Sequence, residues 1–131
     1  MEDKLFLYLT LGTDDLPRAK RFYDAALAPL DLVLRTTEPD ELGYGPANAT
    51  RTQLWITKPY NDKPANNGNG TMVAFDAPNR AAVDEFHKLG LANGGTDEGA
   101  PGLRPYGDHF YACYLRDPDG NKLSAVCEKP A

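Results

Sequence analysis

Leu115-Arg116-Asp117-Pro118-Asp119-Gly120-Asn121-Lys122-Leu123-Ser124-Ala125-Val126, inside the longer run from Tyr111 to Cys127, is the stretch on which the fold turns. It reads as a strand, a tight turn and a second strand. Asp-Pro-Asp-Gly-Asn is dense in turn formers, and Gly120 can take the positive φ that closes a hairpin. Ser124 is out of character, a small polar residue among the apolar Leu123, Ala125 and Val126. If Leu115 faces Lys122 across the turn, Cys113 faces Ser124 and Cys127 faces Phe110. The two cysteines then sit three residues apart on the ladder, about 10 Å, beyond disulfide reach. They read as reduced packing residues rather than a bridge, a ligand pair or a nucleophile.

Upstream of the hairpin, Ala100 to Asp108 holds Pro101, Gly102, Pro105 and Gly107 and reads as loop. Before it, Thr71 to Phe75 reads as a strand. Ala82, Val83, Phe86 and Leu89 form the apolar stripe of a helix ended by Gly94-Gly95, with Lys88 near its C-terminal end. Lys58 to Gly70, rich in proline, asparagine and glycine, reads as an exposed linker. The chain opens with strict alternation over residues 4–11: Leu5, Leu7, Leu9 and Leu11 on one face, Phe6, Tyr8 and Thr10 on the other. Asp14 or Asp15 caps a helix beginning near Pro17, its stripe running from Leu16 through Phe22 and Tyr23 to Leu30, and Pro29 ends it. Residues 31–36 and 41–47 read as weaker strands and 52–57 as a strong one, with Leu54 and Ile56 on one face and Gln53, Trp55 and Thr57 on the other.

The second half repeats the first. Placing Tyr8 over Met72, an offset of 64 (72 − 8), also places Leu9 over Val73, Leu11 over Phe75, Ala19 over Val83 and Phe22 over Phe86, without a gap. Chance seldom aligns a strand period and a helix period together. The predicted architecture is α+β: two βαβββ modules, about 4–57 and 71–128, joined by the 58–70 linker within one domain spanning 1–131. Neither module alone is large enough to bury its sheet face.

The 131 residues, 41% of them hydrophobic, suffice for one core and not for two ordinary independent domains. A net charge of −5 and a pI near 4.9 argue against nucleic acid and against anionic membranes, because phosphate contacts need a clustered positive surface. No run approaches the roughly 18 apolar residues of a membrane helix, and Met1-Glu2-Asp3-Lys4 leads into a strand pattern rather than a signal-peptide core. A cytoplasmic location is expected.

With these residues in view, the chain resembles the vicinal oxygen chelate superfamily, which includes glyoxalase I, extradiol dioxygenases, fosfomycin-resistance enzymes and bleomycin-binding proteins. The resemblance is carried by Leu-Thr-Leu-Gly-Thr-Asp-Asp-Leu-Pro-Arg-Ala-Lys-Arg-Phe-Tyr-Asp at 9–24, by Met-Val-Ala-Phe and its helix at 72–86, and by the hairpin at 115–126. It implies a curled mixed sheet around a cleft, often completed by a second subunit, so a homodimer is expected. It also implies, in metal-dependent members, one ligand on the first and one on the fourth strand of each module, usually His or Glu. Carried over strand by strand, those positions are Tyr8, Trp55, Met72 and Ser124. Trp, Met and Ser are not ordinary ligands for a hard or borderline ion, and a tyrosine phenol stays protonated near pKa 10. Strand parity agrees on its own: Leu5, Leu7, Leu9, Leu54, Ile56, Val73, Phe75, Leu123 and Ala125 share the helix-facing parity, so the four positions face the other way.

The four look like a cleft floor refilled for an organic molecule. Gln53 shares the face of Trp55. Arg104, Tyr106, His109 and Tyr111 cluster where the resemblance implies a loop at the cleft mouth, so Arg104, Tyr106 and Tyr111 join the ligand-binding candidates. His109 is the candidate acid or base. His87 reads as a helix-flank or surface residue, and Asp117 and Asp119 as turn formers rather than a catalytic pair. The reading favoured is a protein without the usual metal ligands that binds a small organic molecule. No cofactor is predicted, and a divalent metal is disfavoured. The alternatives are a metal-dependent lyase or isomerase of the glyoxalase type with a relocated metal site, and a scaffold kept for association alone.

Overall fold

The computed structural model describes residues 5–131, so Lys4, the first residue of the predicted opening strand, lies outside the described residues. The elements run β1 (Leu9–Gly12), α1 (Leu16–Leu27), a 3-10 turn (Ala28–Leu30), β2 (Leu32–Glu38), β3 (Glu41–Pro46), β4 (Leu54–Thr57), β5 (Met72–Asp76), α2 (Arg80–Ala92), β6 (Thr96–Leu103), β7 (Tyr111–Arg116) and β8 (Lys122–Cys127).

Local chemistry sets both helix starts. The Asp15 carboxylate accepts the Arg18 N–H at 3.0 Å, and Pro17 occupies the first turn, where a missing N–H costs nothing. Asn79 caps α2 in the same way, accepting from the Ala82 N–H at 2.8 Å. The two caps are 64 residues apart (79 − 15), so the sequence repeat is a structural repeat.

Two four-stranded sheets result, ordered β1-β4-β3-β2 and β5-β8-β7-β6, with no hydrogen-bonded ladder between them. In each, the first strand runs parallel to the fourth and the other neighbours are antiparallel. Leu9 pairs with Leu54 in one sheet and Val73 with Leu123 in the other, again at matching positions. The helices cover one face of each sheet and meet each other, so that Phe22, Tyr23, Val83, Phe86, Leu115 and Leu123 belong to one buried cluster. Gly90 permits the closest approach: a Cβ there would stand 2.7 Å from Leu115 Cδ2 and 3.3 Å from the Phe22 ring.

The Asp-Pro-Asp-Gly-Asn turn also clamps the modules together. Asp117 accepts the Asn121 backbone N–H and side-chain amide, each at 2.9 Å, and the buried Tyr23 hydroxyl of α1. Asp119 accepts the Asp14 N–H at 3.1 Å, an Arg18 guanidinium N–H at 2.7 Å and the Thr13 hydroxyl. Gly120 has φ of 89°, the left-handed conformation that the turn demands.

Four expectations are corrected. The opening strand starts at Leu9, because its ladder ends where Leu9 N–H meets Gln53 O, ahead of β4; Leu5 and Leu7 are then 84% and 62% exposed instead of facing a core. The strand predicted over 52–57 likewise begins at Leu54. Residues 100–103 belong to β6 rather than a loop: β6 is an edge strand with register shifts on either side of Gly99, a setting that accepts Pro101. In the hairpin, Leu115 faces Leu123, not Lys122, because Asp117 N–H closes the turn on Asn121 O at 2.9 Å. Cys113 therefore faces Ala125 and Cys127 faces Tyr111; both thiols are free and buried.

Candidate functional site

Helices cover one face of each sheet, so the residues of opposite parity form two open faces. On the first sheet the register sets out a row Thr10, Trp55, Gly43, Thr36. Trp55 leans across Gly43, where a Cβ would stand 2.9 Å from its ring. On the second sheet the matching row is Ala74, Ser124, Tyr114, Gly99. Ser124 is fully buried, and its Oγ has no hydrogen-bond partner among the described residues. Buried hydroxyls are nearly always partnered, so an orphan in this position asks for a reason.

Of the predicted site residues, Ser124 and Arg104 share a neighbour, Tyr114. The Arg104 guanidinium carbon lies 5.4 Å from the centroid of the Tyr114 ring, the cross-strand neighbour of Ser124, and its Nη2 donates to Ala100 O at 2.6 Å. Met72, 44% exposed, heads β5 opposite Lys122, one row along the same face. Tyr8 and Trp55 belong to the other sheet. Tyr8 precedes β1 and lines a cavity of about 330 Å³ with Phe6, Leu7, Leu9, Thr50, Arg51 and Gln53. A second cavity, about 340 Å³, is lined by Ala74, Phe75, Asp76, Phe110, Val126 and Glu128. Each of these cavities draws on one sheet.

Tyr111 is corrected out of the cleft. It pairs with Cys127 on the helix side, and its hydroxyl donates to Asp84 of α2 at 2.6 Å with Arg80 stacked 5.1 Å from the ring centroid. That hydrogen bond, with some burial, raises its pKa. Tyr106 and His109 lie in the exposed β6–β7 connection, at the opposite end of the hairpin from Lys122. The Tyr106 ring stands edge-on to Phe110 at 5.4 Å, and His109 makes no hydrogen bond to the described residues. His87 is no surface residue: it is buried on α2 with Nε2 2.8 Å from the Asp97 carboxylate.

The sequence reading passed over Tyr114 and Lys122. The one-residue slip in the assumed hairpin register put Cys113 opposite Ser124 and so hid the aromatic residue that stands there. The signal that finds it is the turn, in which Asp117 and Asn121 form the closing pair.

The chain matches the glyoxalase/bleomycin resistance protein/dioxygenase superfamily over residues 5–124. It belongs to that superfamily. A glyoxalase/bleomycin resistance protein from Albidiferax ferrireducens T118 is 38% identical, with 95% of this chain and 98% of that one covered and a TM-score of 0.84. A glyoxalase-related enzyme from Fulvimarina pelagi (20% identity, 93% and 87% covered, TM-score 0.72) and a lactoylglutathione lyase from Agrobacterium tumefaciens (23%, 96% and 96%, TM-score 0.63) share the fold. No curated protein matches the chain.

The metal that the superfamily's metal-dependent members would hold does not fit the residues present. Trp offers only an N–H donor, Met a soft thioether, Ser and Tyr neutral hydroxyls. Ser124 Oγ is enclosed without a second ligand beside it. Among the described residues no group of three His, Cys, Asp or Glu side chains is placed to hold an ion. Nor, among them, is any helix long and apolar enough to cross a membrane.

Proposed function

We propose that this superfamily member binds a small organic molecule on the open face of its second sheet, without a metal ion at the superfamily's usual ligand positions. One observation carries the reading. Ser124, at a position where the resemblance puts a ligand in metal-binding relatives, faces away from the helices and keeps a buried hydroxyl with no partner among the described residues. Tyr114, Met72 and Ala74 supply apolar surface around it, and the cavity at Ala74, Asp76 and Phe110 adjoins it. Since the two sheets of one chain form no common ladder, a second copy is the natural means of covering both open faces, and we expect a cytoplasmic homodimer.

Native mass spectrometry with metal analysis, on protein purified without added metal, tests this reading. We expect a small-molecule adduct or fragment binding that perturbs Tyr114, with substoichiometric metal. A stoichiometric divalent ion, together with lyase activity on a thiol-conjugated aldehyde that chelator abolishes and nickel or zinc restores, would overturn it in favour of a relocated metal site.

A further inference from the structure

We propose that the open face of the second sheet selects an organic anion, whose carboxylate or phosphonate oxygens are held between Lys122 and Arg104 beside Tyr114. The inference rests on the small-molecule reading above and names the class of ligand. Two cations converge on one ring: Lys122 Nζ lies 5.6 Å and Arg104 Cζ 5.4 Å from the Tyr114 centroid. The third cation of this face, Arg116, is neutralised by Glu98 at 2.6 Å and donates a second N–H to Gly120 O at 2.7 Å. Among the described residues, neither Lys122 nor Arg104 forms an ion pair. In a chain of net charge −5, with 19 acidic residues, two such neighbours are a local inversion of the overall field.

The strand beside them is built to hold the guanidinium in place. A Cβ on Gly102 would stand 3.0 Å from Arg104 Nη1, and one on Gly99 would stand 3.1 Å from the Tyr114 ring that carries the guanidinium. The bond to Ala100 O fixes the side chain over the ring, while a guanidinium has five N–H donors and only that bond and a long 3.5 Å contact to Leu103 O use any. The Lys122 ammonium adds three more donors with no acceptor among the described residues.

Ser124 is the independent second observation. Its orphaned hydroxyl sits in the row of Tyr114, between Ala74 and that ring. The hydroxyl is enclosed in the free chain, so an anion reaches it only when a neighbouring side chain of the face moves aside, and it then donates a charge-assisted bond, the strong kind. Asp76, two residues further along β5, and Glu128, just past the end of β8, line the adjoining cavity and repel an anion from that end. They fix its direction: acidic group toward Lys122, body toward Phe110.

The test titrates the full-length chain with benzoate, phenylphosphonate and uncharged benzamide, by calorimetry and by NMR shifts at Tyr114 and Trp55. At least one anion should bind about tenfold tighter than benzamide, and more weakly as salt rises. The ratio of the two anions shows which oxygen geometry is preferred. Lys122→Gln and Arg104→Gln should each cost the anion about tenfold and leave benzamide unchanged. Lys122→Arg should keep most of the affinity, and circular dichroism should show all three variants folded. Benzamide matching both anions, or anion affinity indifferent to both Gln variants, overturns the selectivity while the small-molecule reading stands. No probe shifting either aromatic residue overturns both.

Discussion

Replacing Ser124 by alanine should stabilise the free protein. A buried hydroxyl without a partner costs about 1–3 kcal/mol relative to its hydrated state in the unfolded chain. Ser124 is fully buried and its Oγ lacks a partner among the described residues, so the native state carries that penalty now. The alanine variant removes the penalty and leaves a void of one oxygen, which returns a fraction of a kcal/mol. The net gain is about 1 kcal/mol, equivalent to about 4 °C in Tm for a chain of this size. In urea, with a slope of about 2 kcal/mol/M, the midpoint should rise by about 0.5 M at unchanged slope. Equilibrium unfolding followed by Trp55 fluorescence reads it directly. A midpoint that falls, with the slope preserved, refutes the reasoning, because it means that the hydroxyl is satisfied in solution. The same variant should bind the anionic probes less well. Opposite signs for stability and binding distinguish a hydroxyl kept for a ligand from one that is merely tolerated.

Asp117→Ala should destabilise by about 3 kcal/mol, because it strands the buried Tyr23 hydroxyl and the Asn121 backbone N–H together; a thermal scan within about 2 °C of the parent would show that the turn does not clamp the modules. The Cys113 thiol, pushed up to about 11 by burial, should resist a thiol reagent at neutral pH until the chain unfolds, and rapid labelling of the folded protein would contradict its placement against α2. The hydrogen bond from His87, helped by the Gly99 N–H, holds the Asp97 carboxyl below the usual carboxylate range. Its stabilising effect is therefore present above the unfolded value of about 3.9 and is lost as pH falls through the lower folded value. Asp97→Asn should flatten the acid limb of urea midpoint against pH, and an unaltered limb would remove Asp97 from that account.

The helices were legible because their signals are local and redundant. Asp15 with Pro17, and a stripe through Phe22 and Tyr23, specify a start and a face with no knowledge of the rest of the chain. The 64-residue offset survived for a similar reason, since it tests the strand and helix periods at once. Strand ends were less legible. Alternation from Leu5 to Leu11 satisfies the pattern of a strand, but a strand also needs a partner, and the neighbour β4 begins only at Leu54. Pro101 and Gly102 suggested a loop because nothing in the sequence reveals that β6 lies at an edge, where bulges and a missing N–H are tolerated. Parity placed Ser124 and Met72 on the open face; Tyr111 was grouped instead with the loop cluster of Arg104, Tyr106 and His109 that the resemblance implies, and the hairpin register pairs it with Cys127 on the helix side.

The duplicated rows differ in a way that bears on how the face works. In the first sheet the fourth strand carries the large aromatic, Trp55, and glycine stands beside it at position 43. In the second the fourth strand carries the small Ser124, the neighbouring strand carries the aromatic Tyr114, and glycine moves one strand further out to position 99. Each sheet thus keeps one aromatic ring and one glycine gap per row, but shifts the ring by one strand. On the second sheet that shift leaves a hydroxyl between Ala74 and Tyr114, and lets Arg104 fold over the ring through the gap. A Cβ on Gly99 would stand 3.1 Å from the Tyr114 ring and 3.4 Å from Arg104 Nη2, so Gly99→Ala should push the ring, and the guanidinium stacked on it, out of place and weaken anion binding. Gly43→Ala, which crowds Trp55 on the other sheet, should instead leave anion binding intact at some cost in stability. Both glycines stand beside the aromatic ring of their row, so a difference between the variants in binding isolates what the second sheet has acquired.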